Sequence, residues 1–137
     1  MNAHETQRGE TALSLVAYYG GTPELVTALL KAGANIEAQD NSGDTALMGA
    51  VMYNPNPEVV RTLLKANADI NAQDKGGMTP LMWTARGSNS SVVLILLNAG
   101  ANAKTKDSVG NTALTYAKFN SKLADTDALQ QLQKASQ

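Results

Sequence analysis

Few side chains in this sequence are suited to catalysis or metal binding, and their spacing predicts no active site. His4 is the only histidine and lies near the chain end, so a Ser-His-Asp arrangement would lack a positioned base. Asp40, Asp74 and Asp107 are spread along the chain, 34 and 33 residues apart, instead of gathering as metal ligands do. This placement is typical of aspartates that bind the backbone of turns. Gly76-Gly77 lacks the Gly-Lys-Ser/Thr of a phosphate-binding loop.

The sequence contains no cysteine, which excludes disulfides, thiol chemistry and the usual zinc sites. We therefore predict no catalytic residue, no cofactor and no metal ion, and we expect that the chain is not an enzyme. Catalysis would need a separate domain outside these residues.

Composition limits the classes of partner. The 137 residues are 43% apolar and 17% charged, which suits a folded domain with a core. The 11 basic and 12 acidic residues are mixed along the chain, and no basic run predicts binding to nucleic acid. No apolar stretch reaches the roughly 18 residues of a membrane span. The N-terminus lacks the apolar segment of a signal peptide, which favours the cytoplasm, or the periplasm or secretion if the chain is trimmed.

The three aspartates belong to a repeat. The pattern Gly-x-Thr-(Ala/Pro)-Leu occurs four times, with its threonines at positions 11, 45, 79 and 112. A fixed period of 33 or 34 residues indicates a stack of similar units, whose function depends on what their extended surface contacts.

Each repeat is predicted to contain two helices and an extended finger. In the second repeat, Thr45 caps a short apolar helix, and Pro57 starts another helix after Asn56 as its cap. The pairs Val59–Val60 and Leu63–Leu64, four residues apart, form one apolar stripe on that helix. Residues suited to a left-handed conformation end the second helices: Gly33, Asn67 and Gly100.

The repeats resemble the ankyrin repeat family. The family pattern D-x-x-G-x-T-P-L is matched by Asp74–Leu81, its E-V-V-x-L-L segment by Val59–Leu64, and its tail by Ala66–Ala72. The resemblance implies an all-α fold, an ankyrin-repeat solenoid of four helix-turn-helix units with short β-hairpin fingers. It covers residues 1–137 as a single domain, with repeats of about 6–39, 40–73, 74–106 and 107–137.

The sequence departs from the family pattern at one informative position. The histidine that follows the leucine in the family, where it fixes the loop, is absent, so its hydrogen bonds must be replaced or lost. The residues in its place are Ser14, Met48, Met82 and Thr115. The Thr-Ala-Leu-Met segment and the Asn-Pro-Asn-Pro-Glu turn resemble bacterial members more than animal ones.

The resemblance implies that the ends of the first helices and the finger tips line a concave groove. Residues at helix ends form an aromatic-rich row that is typical of a binding hot spot, or alternatively cover the loops below them. This row comprises Tyr18, Tyr19, Met52, Tyr53, Arg86 and Phe119. The finger tips add chemically mixed residues that suit a protein partner: Arg8, Glu10, Asn41, Ser42, Asp44, Lys75, Met78, Ser108, Val109 and Asn111. Trp83 and Tyr116 share another position, which is predicted to pack between repeats.

We therefore predict a non-catalytic module that binds a partner protein or peptide on the groove and finger tips, and we expect a monomer. The alternative is a structural spacer, or the C-terminal part of a longer ankyrin array in a multidomain protein. A small ligand held between repeats is a third, weaker alternative.

Overall fold

A computed structural model of the chain describes residues 10–54, 56–87 and 89–137. These residues form two compact units, one ending at Asp69 and the other beginning at Ile70. Each unit contains the helices of two predicted repeats. In the described ranges the regular structure is entirely helical, so the predicted all-α class is confirmed.

The N-terminal unit, which ends at Asp69, contains four α-helices. These are α1 (Ala12–Tyr18), α2 (Pro23–Lys31), α3 (Ala46–Tyr53) and α4 (Pro57–Lys65). The first helices of its two repeats, α1 and α3, pack against each other, and so do the second helices, α2 and α4. Each repeat therefore covers the apolar face of its neighbour, as stacking requires.

The C-terminal unit, from Ile70, has the same plan. Its helices are α5 (Pro80–Gly87), α6 (Ser90–Asn98), α7 (Ala113–Lys118) and α8 (Asp127–Ala135), and a 3-10 turn at Ser121–Leu123 precedes α8. Helix α5 packs on α7, and α6 packs on α8. The 3-10 turn accounts for the longer connection in the last repeat, and it buries Leu123.

The repeated threonines cap the first helices as predicted. In each case the threonine hydroxyl oxygen accepts a hydrogen bond from the backbone N–H three residues later, at distances of 3.2–3.4 Å. This bond satisfies one of the N–H groups that a helix start leaves without a partner.

The missing family histidine is compensated in two ways. Ser14 and Thr115 each accept a hydrogen bond from the backbone N–H of the capping threonine, which completes a capping box. Met48 and Met82 are fully buried and contribute packing instead. The first and fourth repeats thus replace a hydrogen bond at this position, whereas the second and third add apolar volume to the core.

The apolar stripe of the second helices is confirmed only in part. Val59, Val60 and Leu63 are buried in α4, but Leu64 is half-buried. In α2, Val26 is buried and Leu25 is 49% exposed, which the stripe does not predict. Among the described helices, α2 packs on α1 and α4 and has no second helix of an earlier repeat beside it.

The finger segments are tight turns. Gly33, Asn67 and Gly100 adopt positive φ at the ends of the second helices, as predicted. No β-strand forms within residues 10–54, 56–87 and 89–137, so the expected hairpin fingers are not seen there. Neighbouring fingers of one unit are joined by hydrogen bonds, such as Asp69 N–H to Glu37 Oε1 at 2.8 Å and Ser108 N–H to the Gly76 carbonyl at 3.0 Å.

Two asparagines connect consecutive first helices. The buried Asn54 donates from Nδ2 to the carbonyls of Ala17 and Gly21, at 3.1 and 3.2 Å. Asn120 donates in the same way to the carbonyls of Ala85 and Arg86, at 2.9 and 3.2 Å. These carbonyls lie at or just beyond a helix C-terminus, where they have no partner within the helix.

Candidate interaction surfaces

Each finger turn is organised by its repeated aspartate. In the third repeat, Asp74 Oδ1 accepts hydrogen bonds from the N–H groups of Gly76 and Met78, both at 2.9 Å. Asp40 and Asp107 make the equivalent pair of bonds in their own turns. The predicted structural role of these three aspartates is therefore confirmed.

The second carboxylate oxygen binds an aromatic side chain in two repeats. Trp83 Nε1 donates to Asp74 Oδ2 at 2.9 Å, and the Tyr116 hydroxyl donates to Asp107 Oδ2. Both rings are half-buried, and their polar ends fix the finger to the first helix. The sequence predicts only packing for Trp83 and Tyr116, although the separation of nine residues from each aspartate recurs in both repeats.

The link between Tyr116 and Asp107 affects both pKa values. Burial alone would raise the pKa of Asp107, but hydrogen bonds from Tyr116 and from the backbone of Asn111 and Val109 outweigh it, and the pKa is lowered. The hydrogen bond to Asp107 raises the pKa of Tyr116. The pair thus favours an ionised aspartate and a neutral tyrosine.

We expect the substitution Tyr116→Phe to lower the free energy of unfolding by about 1.5–3 kcal/mol at neutral pH, because a hydrogen bond to a charged group is lost. The pKa of Asp107 is lower in the folded chain, so this stabilisation is present above its unfolded pKa of about 3.9 and is lost as the pH falls through the folded value. Urea titrations from pH 7 down to pH 3 should therefore show the difference shrinking below about pH 4.

The control for this substitution is Tyr19→Phe, which removes a hydroxyl from a ring that is 69% exposed. Its stability should match that of the parent chain throughout the titration. A Tyr116→Phe penalty that stayed constant down to pH 3 would contradict the role of the ionised carboxylate.

A tyrosine cluster lies at the ends of α1 and α3. The rings of Tyr18 and Tyr53 have centroids 4.0 Å apart, and those of Tyr18 and Tyr19 are 4.6 Å apart. Tyr18 is half-buried, whereas Tyr19 and Tyr53 are 69% and 55% exposed. Gly49 lies beside this cluster, where a Cβ would be in ordinary van der Waals contact with Tyr18. Met52, also predicted for this row, is half-buried.

The corresponding helix ends of the C-terminal unit combine aromatic and basic residues. The guanidinium carbon of Arg86 lies 5.5 Å from the centre of the Trp83 ring, within the range of a cation–π contact. Asn120, which binds the Arg86 carbonyl, brings the end of α7 next to the end of α5. Phe119 precedes it and is 88% exposed.

The predicted finger-tip residues fall into two sets. The exposed set contains Asn41, Ser42, Lys75, Ser108 and Val109. The other set consists of the four residues that immediately precede the capping threonines. Of these, Glu10 and Met78 are buried, whereas Asp44 and Asn111 are half-buried. Arg8 lies outside the described residues.

The inward placement of Met78 differs from the expectation of a tip residue and has a local cause. Met78 closes the turn, since its N–H binds Asp74 Oδ1 and its carbonyl accepts from the Asp74 N–H at 3.0 Å. The chain enters the first helix directly afterwards, so the residue before the threonine turns towards the core. Side chains at the tip itself are better placed to contact a partner.

A groove of about 510 Å³ lies on a different face, between the ends of α2 and α4. Its lining includes Leu30 and the lysines Lys31 and Lys65. The hydroxyls of Thr27 and Thr62, which also line it, already donate to carbonyls of their own helices. Apart from the two lysine ammonium groups, the groove therefore offers few polar groups that could orient a small ligand.

Residues 10–54, 56–87 and 89–137 contain neither a candidate metal cluster nor a helix that could span a membrane. No cluster of three or more histidine, cysteine, aspartate or glutamate side chains suited to a metal occurs in these parts of the chain. Among the helices described above, none is both long and apolar enough to cross a membrane.

Comparison with known families agrees with the repeat pattern. A family model of three ankyrin repeats matches residues 1–74 and again residues 50–134. A comparison with curated proteins found no match.

Proposed function

Since this chain belongs to the ankyrin repeat family, we propose that it is a non-catalytic protein–protein interaction module that contacts its partner through the ends of its first helices. Ankyrin repeats are generally protein–protein interaction modules, and the family is typically non-enzymatic. The exposed finger tips, such as Lys75 and Val109, add polar and apolar contacts at the edges.

The exposed aromatic side chains carry this proposal. Tyr19, Tyr53 and Phe119 carry large rings at the ends of first helices, and each leaves more than half of its surface to solvent. Tyrosine contributes a large contact area and a hydroxyl at a low entropic cost, so it is enriched in binding hot spots. The tyrosine cluster is also preorganised, because contact with Tyr18 restricts both exposed rings before a partner arrives.

We expect Tyr53→Ala and Phe119→Ala each to weaken partner binding by about 2 kcal/mol, which is roughly 30-fold in Kd. The immobilised chain would first capture partners from an extract of its source cells. The Kd of the captured protein would then be measured by titration calorimetry for the parent chain and for each variant. The melting temperature should change little, because both side chains are largely exposed.

Leu25→Ala provides the matched control. Leu25 is also a large exposed apolar residue, but it lies on a second helix, α2, and not on a first helix. It should bind the partner as tightly as the parent chain does. A partner held equally well by Tyr53→Ala and Phe119→Ala would contradict the proposed surface and favour a spacer role.

A further inference from the structure

Charge is distributed unequally between the two units. Residues 1–69 contain four basic and eight acidic side chains, and residues 70–137 contain seven basic and four acidic ones. The near-neutral chain therefore combines a unit of net charge −4 with one of net charge +3. Electrostatic complementarity in binding depends on such local charge and not on the total.

The basic side chains of the C-terminal unit are exposed, while its first two acidic ones are engaged internally. Between positions 70 and 124 the only acids are Asp74 and Asp107. Both oxygens of each carboxylate accept hydrogen bonds, from turn N–H groups and from Trp83 or Tyr116. The basic residues of the same segment are all exposed: Lys75, Arg86, Lys104, Lys106, Lys118 and Lys122. The other two acids of this unit, Asp125 and Asp127, lie at the start of α8.

Two of these cations flank the exposed Phe119 in the sequence, and a third, Arg86, belongs to a helix end beside them. Asn120 Nδ2 lies 3.2 Å from the Arg86 carbonyl, so residues 118–122 run beside the end of α5. Phe119 is one residue from Asn120, and Lys118 and Lys122 are each two residues from it. We call Arg86, Lys118, Phe119 and Lys122 the basic-aromatic cluster.

We propose that the basic-aromatic cluster binds an acidic segment of the partner protein, with carboxylates at the three cations and an apolar side chain on Phe119. The inference rests on the proposed function and specifies the chemistry of the partner at one of its surfaces. Contact with Trp83 orients Arg86 before binding, which lowers the entropic cost of forming an ion pair. A protein segment fits better than nucleic acid, because the chain contains no run of basic residues of the kind that neutralises a phosphate backbone.

The test is a selection of random 12-residue peptides displayed on phage against the intact chain. We expect the selected peptides to be enriched in aspartate and glutamate next to an apolar residue. In fluorescence anisotropy, the triple variant Arg86→Gln, Lys118→Gln, Lys122→Gln should bind them at least about tenfold more weakly. Affinity for the parent chain should fall as salt rises, since screening weakens exposed charge pairs.

Lys134→Gln is the control, because Lys134 is an exposed lysine of the same unit on α8. It should leave peptide affinity unchanged, and circular dichroism should show that both variants are folded. The inference is overturned if the selection yields no acidic peptides, or if the triple variant binds them as tightly as the parent chain does. It is also overturned if Lys134→Gln loses as much peptide affinity as the triple variant. Tighter binding of a 20-base-pair DNA duplex than of the peptides would overturn it in favour of nucleic acid.

The same variants distinguish the proposal of an acidic partner segment from the broader proposal of a protein–protein interaction module. If a captured cellular partner is lost with Tyr53→Ala but retained by the triple variant, the chain is an interaction module without an acidic partner segment. If neither variant affects capture, both proposals fail.

Discussion

Replacing Leu63 with alanine is expected to lower the free energy of unfolding by about 2–5 kcal/mol. Leu63 is fully buried in the last turns of α4, which packs on both α2 and α3. Truncating its side chain loses the favourable free energy of burying the removed methyl groups. It also leaves a cavity that neighbouring repeats cannot fill without moving. Domains of this size are stable by only about 5–15 kcal/mol, so this change could remove much of the stability.

The adjacent Leu64 provides a matched control, because Leu64→Ala deletes the same atoms from the same helix. Leu64 is half-buried, so its truncation exposes less new cavity surface and should cost clearly less than that of Leu63. Urea unfolding, monitored by circular dichroism, would measure the difference. The dependence of the unfolding free energy on urea concentration should be the same for both variants. Equal losses would mean that the two positions share one environment, as the apolar stripe in the sequence suggests.

The sequence was sufficient where interactions are local. A threonine hydroxyl that caps its own helix, and an aspartate that binds N–H groups two and four residues ahead, involve short separations along the chain. Four recurrences of the pattern make such interactions recognisable. The left-handed residue at Asn67 follows from the same regularity, since the first and third repeats have glycine there.

Contacts between repeats were not predictable in the same way. Asn54 looks like part of a turn in the sequence, yet its amide reaches the carbonyls of Ala17 and Gly21 more than 30 residues away. Its partners become apparent only when α1 and α3 are packed. The exposure of Leu25 is likewise a tertiary effect, since Val59 at the equivalent position of the next repeat is fully buried.

The sequence indicated which side chains lie near one another, but not the direction that each of them takes. When the repeats are aligned, Tyr18 and Met52 occupy the same position and Tyr53 occupies the next one. The structure brings the rings of Tyr18 and Tyr53 into contact. The alignment assigns Met78 to a finger tip, but the turn directs it inward. The alignment gives the repeat position of a side chain, whereas the backbone of the turn determines which way that side chain faces.

The substitution Gly77→Ala is expected to be strongly destabilising for two separable reasons. Gly77 has φ of +79°, where an alanine costs about 1–2 kcal/mol. A Cβ there would also lie 2.8 Å from Ser108 N and 3.0 Å from Asp107 Cα, which are backbone atoms of the next finger. Relieving this clash would require the two fingers to separate, which adds roughly 1–3 kcal/mol.

Gly110→Ala separates the two contributions. Gly110 has a similar φ of +87°, but a Cβ there would meet no atom within 4 Å. The substitution Gly110→Ala should therefore cost only the roughly 1–2 kcal/mol that an alanine at positive φ requires. The excess loss for Gly77→Ala, measured by urea unfolding of both variants, is the free energy of close packing between consecutive fingers. If the two substitutions cost the same, the close approach of Gly77 to Asp107 and Ser108 contributes nothing to stability.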